Sequence, residues 1–316
     1  MDIREANSAD RDAILGLRAR CFGDLDPEKR DPRFWHWELG HARCFVGEEN
    51  GRLVTHLALV PMPYAAGDEV IDGALAVDAM TAPEARGRGA FSRVVAEAMQ
   101  ATRGDLSIAT AYQIRSAVLG AMLRGGWSVA ADVPVLVRPA SLRALLRITA
   151  RTGTHRAPRP RARIRLLTRD DAPAMARVAR SFPREGACVA RTAEWLTWRF
   201  FENPCWSYRV TGIDEEGDLA AYLVARRTTL KNFDTFAVAD LAYTDRDSAR
   251  LLLRDAVAEG KALGCKLAAA LVSPWHPAFS LFLMRGFVPG PHRFRLLVYP
   301  NRKLRWGVMW ADTDHL

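Results

Sequence analysis

The order of features in this 316-residue chain occurs twice. Gly51-Arg-Leu-Val and Gly217-Asp-Leu-Ala lie 166 positions apart, Asp78 and Asp240 lie 162 apart, and Gly126-Trp127 and Gly286-Phe287 lie 160 apart. Pro139, closing Val-Leu-Val-Arg-Pro, and Pro300, closing Leu-Leu-Val-Tyr-Pro, lie 161 apart. A near-constant offset over this length means two copies of one fold, each of a size (~150 residues) that can bury a core.

Periodicity and caps give the elements of each copy. In the first, Ser8 or Asp10 caps a helix with Ala13, Ile14, Leu17 and Cys21 on one face, and Asp31-Pro32 opens a short helix carrying Phe34, Trp35 and Trp37. Strands at 44–48 and 53–64 flank the Glu49-Asn50-Gly51 turn as a hairpin, and 75–81 makes the next strand. A helix at 91–101, a strand at 106–109, a helix at 116–124 and strand material at 127–138 complete the copy. The second copy repeats the plan, with a capping-box-like start at Thr168, an aromatic helix at 192–201 stopped by Asn203-Pro204, strands at 219–228 and 235–243, a long helix at 246–262, a strand at 267–271 and a helix at 277–285.

A make-up of 49% hydrophobic and 26% charged residues is that of a soluble globular protein. No apolar run approaches the ~18–20 residues that cross a bilayer, and Met-Asp-Ile-Arg-Glu lacks an export pattern, so a cytoplasmic location is expected. The cysteines (Cys21, Cys44, Cys188, Cys205, Cys265) form no Cys-x-x-Cys pair, so neither a disulfide framework nor a metal is expected, and they read as small buried hydrophobes. Most of the net charge of +9 belongs to one segment. Arg143, Arg147, Arg151, Arg156, Arg159, Arg161 and Arg163 fall in a stretch free of Asp and Glu that also holds Gly153, Pro158 and Pro160. After a short helical start at 141–148 it reads as a solvated basic linker, and nucleic acid is not expected as a partner.

The chemistry sits between the strand ending near Thr81 and the helix starting near Ala90, at Arg86-Gly87-Arg88-Gly89-Ala90. Unpaired amides at a helix start, the helix dipole and glycines that admit close approach make an anion site there, and Arg86, Arg88 and Arg93 add charge. A dinucleotide fingerprint needs a third glycine where Ser92 stands, and a P-loop needs Gly-Lys-Ser/Thr, which is absent.

Arg-Gly-Arg-Gly-Ala after Asp-x-Met-Thr-x-Pro resembles the coenzyme-binding motif of the GNAT superfamily of N-acetyltransferases, Arg/Gln-x-x-Gly-x-Gly/Ala, with Phe91 in place of the last small residue. The duplicated plan resembles tandem-GNAT proteins of the mycothiol-synthase-like kind. The resemblance implies the α/β (α+β) class: two tandem GNAT-like domains, each a mixed, mainly antiparallel sheet covered by helices. Residues 1–139 would form the GNAT domain with the coenzyme A motif, 140–162 the linker, and 163–316 a degenerate GNAT-like domain serving as scaffold and acceptor-site wall. It further implies acetyl-CoA or another short acyl-CoA as co-substrate. Arg86, Gly87, Arg88, Gly89, Ala90, Phe91 and Ser92 would hold its pyrophosphate, and the strand at Ala79, Met80 and Thr81 its pantetheine. The backbone N–H near Met80 would polarise the thioester carbonyl. Opposite this motif the second copy has Asp245-Arg-Asp-Ser-Ala-Arg250, without glycine and with two carboxylates, so coenzyme is expected in the first half alone.

The Tyr acid of many GNAT enzymes would fall at Met122 or Phe282 and is absent from both. For the base, Asp78 sits on the coenzyme strand and Glu38 on the aromatic helix that lines the acceptor side in this family. Asp78 reads equally as a structural residue, and the retention of Asp240 in the degenerate copy favours that role. Asp312 and Asp314 read as a solvated acidic tail. The expected activity is transfer of an acyl group from coenzyme A to an amine of a small molecule; an aminoacyl-tRNA-dependent transferase and a non-catalytic acyl-CoA-binding or structural protein are the alternatives.

Overall fold

The computed structural model describes the chain apart from residues 23–26, 68, 114–115, 140–163, 183–185 and 314–316. The expected linker at 140–162, its helical start and Asp314 therefore lie outside the described residues.

The first half runs β1 (Asp2–Glu5), α1 (Arg11–Phe22), α2 (Pro32–Leu39), β2 (Arg43–Glu49), β3 (Arg52–Ala66), β4 (Glu69–Thr81), α3 (Ala90–Ala101), β5 (Ile108–Gln113), α4 (Ser116–Arg124) and β6 (Ser128–Pro139). The second runs β7 (Ile164–Leu166), α5 (Ala172–Ser181), β8 (Ala187–Val189), α6 (Ala193–Leu196), β9 (Arg209–Glu215), β10 (Asp218–Leu230), β11 (Phe233–Tyr243), α7 (Arg246–Ala262), β12 (Leu267–Leu271), α8 (Phe279–Met284) and β13 (Val288–Tyr299). The chain then crosses back as an irregular segment ending in a helical turn at Trp310–Asp312. No described helix is long and apolar enough to cross a membrane.

All these strands join one sheet, mainly antiparallel, in the order β1-β2-β3-β4-β5-β13-β6-β12-β11-β10-β9-β7, with β8 added to β3. The two copies are not separate sheets, because each gives its last strand to the other. β13 pairs with β5 of the first half, and β6 pairs with β12 of the second. The two exchanged strands pair with each other at the centre, where Val133 stands opposite Phe294, 161 positions on. One core cluster accordingly spans both halves, from Val133 and Tyr112 to Phe294, Trp306 and Met309. On the opposite face α3 and α4 cover Leu57, Ala74, Ala76 and Ala109.

A second seam lies between the aromatic helices. Trp37 at the end of α2 donates its indole N–H to the Trp198 carbonyl at 2.9 Å, and Trp198 donates its own to the Trp37 carbonyl at 3.1 Å. The rings stack with centroids 4.8 Å apart and planes 15° apart. These residues are again 161 positions apart, so the repeat supplies one self-complementary contact across its own pseudo-twofold axis. Trp198 lies on a π-helical turn (Thr197–Phe201) that widens the end of α6.

Three sequence boundaries are corrected. β4 starts at Glu69 and not at 75, because Glu69 to Ala74 pair along β3 from Ala66 to Pro61. That ladder overrides the weak strand propensity of Asp72 and Gly73. β5 is displaced to 108–113 by its pairing with β13, a partner 180 or more positions away. The first helix is entered through a turn capped by Asn7, whose side chain accepts from the Ala9 N–H while Asp10 accepts from the Asn7 N–H, held in turn by Arg4.

Trp37→Ala and Trp198→Ala are each expected to lower stability by about 3 kcal/mol, and the double variant by less than their sum because either change already opens the shared seam. Urea unfolding of the four proteins of this cycle checks the outcome.

Candidate functional site

β4 and β5 pair in parallel only from Gly73–Ile108 to Ala76–Ala111 and then part, while β4 continues five residues to Thr81. The fork follows from a bulge. His56 stands opposite Met80 and Ala58 opposite Val77, so Asp78 and Ala79 together face Leu57 alone. Asp78 takes a left-handed φ of +52°, a conformation that costs roughly 1 kcal/mol for a residue with a Cβ and that Asp tolerates better than most. Beyond the bulge the outer edge of β4 has no strand beside it among the described residues and forms one wall of a groove of about 560 Å³.

The groove runs from Ala79, Met80 and Thr81 to the start of α3, with Val118, Ala121 and Arg124 of α4 on its far wall. Its closed end is an uncapped helix. Gly89 at the N-cap has φ +77° and offers no side chain to the first amides of α3, and Gly87 turns the preceding loop at φ +78°. A Cβ on either glycine would meet nothing, so what demands glycine is the backbone conformation and not a neighbouring atom. Four helix-start amides and the positive end of the dipole thus face the groove. The arginines frame it: Arg86 donates through Nε to the Thr81 carbonyl at 3.1 Å, Arg88 pairs with Glu49 at 3.1 Å, and Arg124 donates to Ser92 Oγ at 3.0 Å. Arg93 turns away to the Met1 carbonyl. The residues expected to hold a pyrophosphate, Arg86, Gly87, Gly89, Ala90, Phe91 and Ser92, all line this groove; Arg88 is exposed beside it.

The ladder fixes which amides look into the groove. Ala82 donates its N–H to the Val54 carbonyl on β3, and in this register Met80 turns its N–H to β3 as well. Ala79 and Thr81 therefore face the groove, and the Thr81 carbonyl is the one that Arg86 reaches. The backbone donor assigned to Met80 from sequence is corrected to Ala79 and Thr81, because the extra residue of the bulge shifts the alternation by one. The Met80 side chain is core, packed with Ile14, Leu17 and Ala85.

Both carboxylates singled out as bases are in one buried cluster. Arg18 of α1 donates to Asp78 and, at 2.5 Å, to Glu38; Lys29 donates to Glu38 at 2.7 Å and to Asp78 at 3.1 Å. Burial disfavours the charge on Asp78, but Arg18 and Lys29 outweigh it and hold the carboxyl well below the usual range. Burial pushes Glu38 up against the pull of Lys29, and the like charge of Asp78 adds to the rise. Asp78 does not line the groove, whereas Glu38 lines a second groove on the α2 side of the sheet. Arg18 and Lys29 escaped the sequence reading. The available signal was Arg18 itself, four residues after Ile14 on the stripe that α1 buries.

The remaining expectations divide. Met122 and Phe282 are fully packed in the core and can donate no proton. Cys44, Cys188 and Cys265 are buried, Cys21 and Cys205 are half-buried, and none of the five is in a disulfide. No metal-holding group of His, Cys, Asp and Glu occurs among the described residues. Asp312, expected in a solvated tail, is instead 1% exposed and paired with Arg191 at 2.5 Å, because the tail re-enters the fold.

The second half shows why its own fork is closed. β11 and β12 pair only from Thr235–Leu267 to Val238–Ala270 and part likewise. The C-terminal segment fills that fork: Met309 bridges to Val272, Ser273 donates its N–H to the Val308 carbonyl at 3.0 Å, and the turn at Trp310–Asp312 packs on β11. At the corresponding helix start Asp245 caps α7 by accepting the Ser248 N–H at 2.6 Å. Asp240, the twin of Asp78, is bound by Arg191 at 2.8 and 3.1 Å and by the Tyr222 hydroxyl at 2.9 Å.

His56 tests the cost of this buried region. Burial lowers its pKa to about 4, so the unfolded chain, with an ordinary value near 6.5, binds the extra proton first. Its contribution is complete above pH ~6.5 and is lost as pH falls toward 4, at about 1.4 kcal/mol per pH unit. Urea unfolding of wild type between pH 7 and 5 should show this loss, and His56→Gln should flatten it.

Residues 2–128 match the family model described as "Acetyltransferase (GNAT) domain". No curated protein sequence matches the chain. Among solved structures, a GCN5-related N-acetyltransferase from Anabaena variabilis is 13% identical with a TM-score of 0.67, over 94% of this chain and 72% of that one. N-myristoyltransferase of Saccharomyces cerevisiae with bound myristoyl-CoA is 13% identical with a TM-score of 0.66, over 97% of this chain and 80% of that one. A GCN5-related N-acetyltransferase from Kribbella flavida is 18% identical with a TM-score of 0.61, over 94% of this chain and 70% of that one. With motif and forked sheet in agreement, residues 2–128 carry a GNAT acetyltransferase domain, and the chain as a whole shares the fold of these solved structures.

Proposed function

We propose that the protein is an acyl-CoA-dependent N-acyltransferase that moves an acetyl or other short acyl group to an amine of a small molecule, with one active site per chain, in the first half. The observation that carries this reading is the open groove joining an uncapped helix start to the unpaired edge of β4. The amides of Gly87 to Ser92 and the guanidiniums of Arg86 and Arg124 suit a pyrophosphate. The strand-free edge at Ala79 and Thr81, where the Cys21 thiol lies against the Thr81 backbone, suits an extended amide chain such as pantetheine, which would add to β4 as a strand does.

The chain's own groups supply three effects. An N–H of Ala79 or Thr81 stabilises negative charge on the thioester oxygen as the amine nitrogen bonds to the carbonyl carbon and the carbon–sulfur bond breaks. Glu38, with its raised affinity for a proton, takes the proton that the amine loses. Asp78 acts as a positioning residue: it anchors the bulge that opens the fork, and Arg18 and Lys29 hold it ionised. The thiolate leaves without a side-chain acid at the Met122 position. The half from 163 onward serves as scaffold and as one wall of the acceptor site, consistent with the closure of its own fork.

Calorimetric titration with acetyl-CoA is expected to give one molecule bound per chain and none in Gly89→Glu, whose side chain and backbone strain close the cradle; absence of binding to wild type would overturn the reading. Glu38→Gln should lower kcat by about 10²-fold or more with acetyl-CoA binding retained. Binding without release of free thiol across a broad amine panel would favour a non-catalytic acyl-CoA-binding protein.

A further inference from the structure

The groove that Glu38 lines has a composition of its own. It measures about 410 Å³ and lies where α2 and β3 of the first half meet α6 and its π turn in the second. Trp37 and Trp198 form its aromatic wall, and Pro61 stands across from them on β3. Its carboxylates are Glu38, Glu194 and Glu202. Among the described residues no Lys or Arg lines it, and apart from the exposed His41 every titratable wall residue among them is acidic.

The carboxylates differ in what they can still bind. Glu38 is committed to Arg18 and Lys29, and Glu202 pairs with Arg169 at 2.7 Å at the rim. Glu194 is exposed, at the start of α6, and has no ion-pair partner among the described residues. Trp195, 4% exposed, lines the same wall, and its indole N–H has no hydrogen-bond partner among the described residues. The Trp37–Trp198 stack is locked by its two reciprocal hydrogen bonds and is further braced by Arg199, whose guanidinium lies 5.8 Å from the Trp37 ring centroid, so the apolar surface it turns to the groove is held without an ordering cost on binding.

From this we infer that the acceptor is a linear dicationic amine, with one nitrogen directed to Glu38 for reaction, an alkyl stem on the tryptophan surface and a second ammonium held by Glu194. The inference rests on the proposed function and narrows its substrate. A carboxylate attracts the remote ammonium, and the aliphatic stem is desolvated against the tryptophan surface. An anionic or neutral acceptor would leave Glu194 without a counter-charge.

Direct binding separates this from the acyl-transfer reading, because it requires neither coenzyme nor turnover. Linear diamines of three to six carbons and the monoamines of equal length are titrated calorimetrically into the full chain. The best diamine is expected to bind about 10-fold tighter than its monoamine, the size of one charge-assisted contact. Glu194→Gln should erase that ratio and leave the melting temperature unchanged, since its carboxylate is solvent-exposed. Equal binding of both series, no diamine binding, or an undiminished ratio in Glu194→Gln would each overturn the inference. Failure of acetyl-CoA to bind would overturn the proposed function instead.

Discussion

The ion cluster of Arg18, Lys29, Glu38 and Asp78 holds the geometry on which the site depends. A regular strand would point Asp78 to the same face as Ala74 and Ala76, beneath α3. The bulge turns it to the α1 side, where Arg18 and Lys29 bind it. That contact offsets the left-handed backbone, and the bulge in turn carries the end of β4 away from β5 and shifts the alternation of its amides. Asp78 is bound by both cations, so its removal would leave buried charge unpaired, a change worth about 3–5 kcal/mol. The cluster is thus a device for shape, and it also sets Glu38 apart from Asp78 in affinity for a proton.

The two halves preserve this arrangement and differ in what they do with it. Each has a fork beside an Asp bound by an arginine, yet Arg18 comes from α1 while Arg191 comes from the segment between β8 and α6. In the first half the fork is open and ends at an uncapped helix. In the second, the returning tail occupies it and Asp245 caps the helix. The second half, its own fork closed, completes the sheet through β13, supplies the Trp198 seam and builds half of the acidic groove.

Exchange of the last strands makes this division of labour stable. β6 and β13 each lie between partners from the other copy, so neither half can unfold its final strand without exposing the core of both. Position along the chain is then a poor guide to position in space, as residues 111 and 297 or 135 and 271 show.

The sequence by itself determined the repeat, the order of elements, the helix and turn signals and the glycine–arginine passage before α3. Each depends on local periodicity, on φ preferences or on the anion affinity of a helix start, which neighbours along the chain decide. Tertiary structure alone decided the strand exchange, the fork, the Ala79 and Thr81 amides in place of Met80, the partners of Asp78 and Glu38, and the burial of Asp312. Those depend on contacts between residues as far as 190 positions apart, where one extra residue in a strand reverses which groups face the groove.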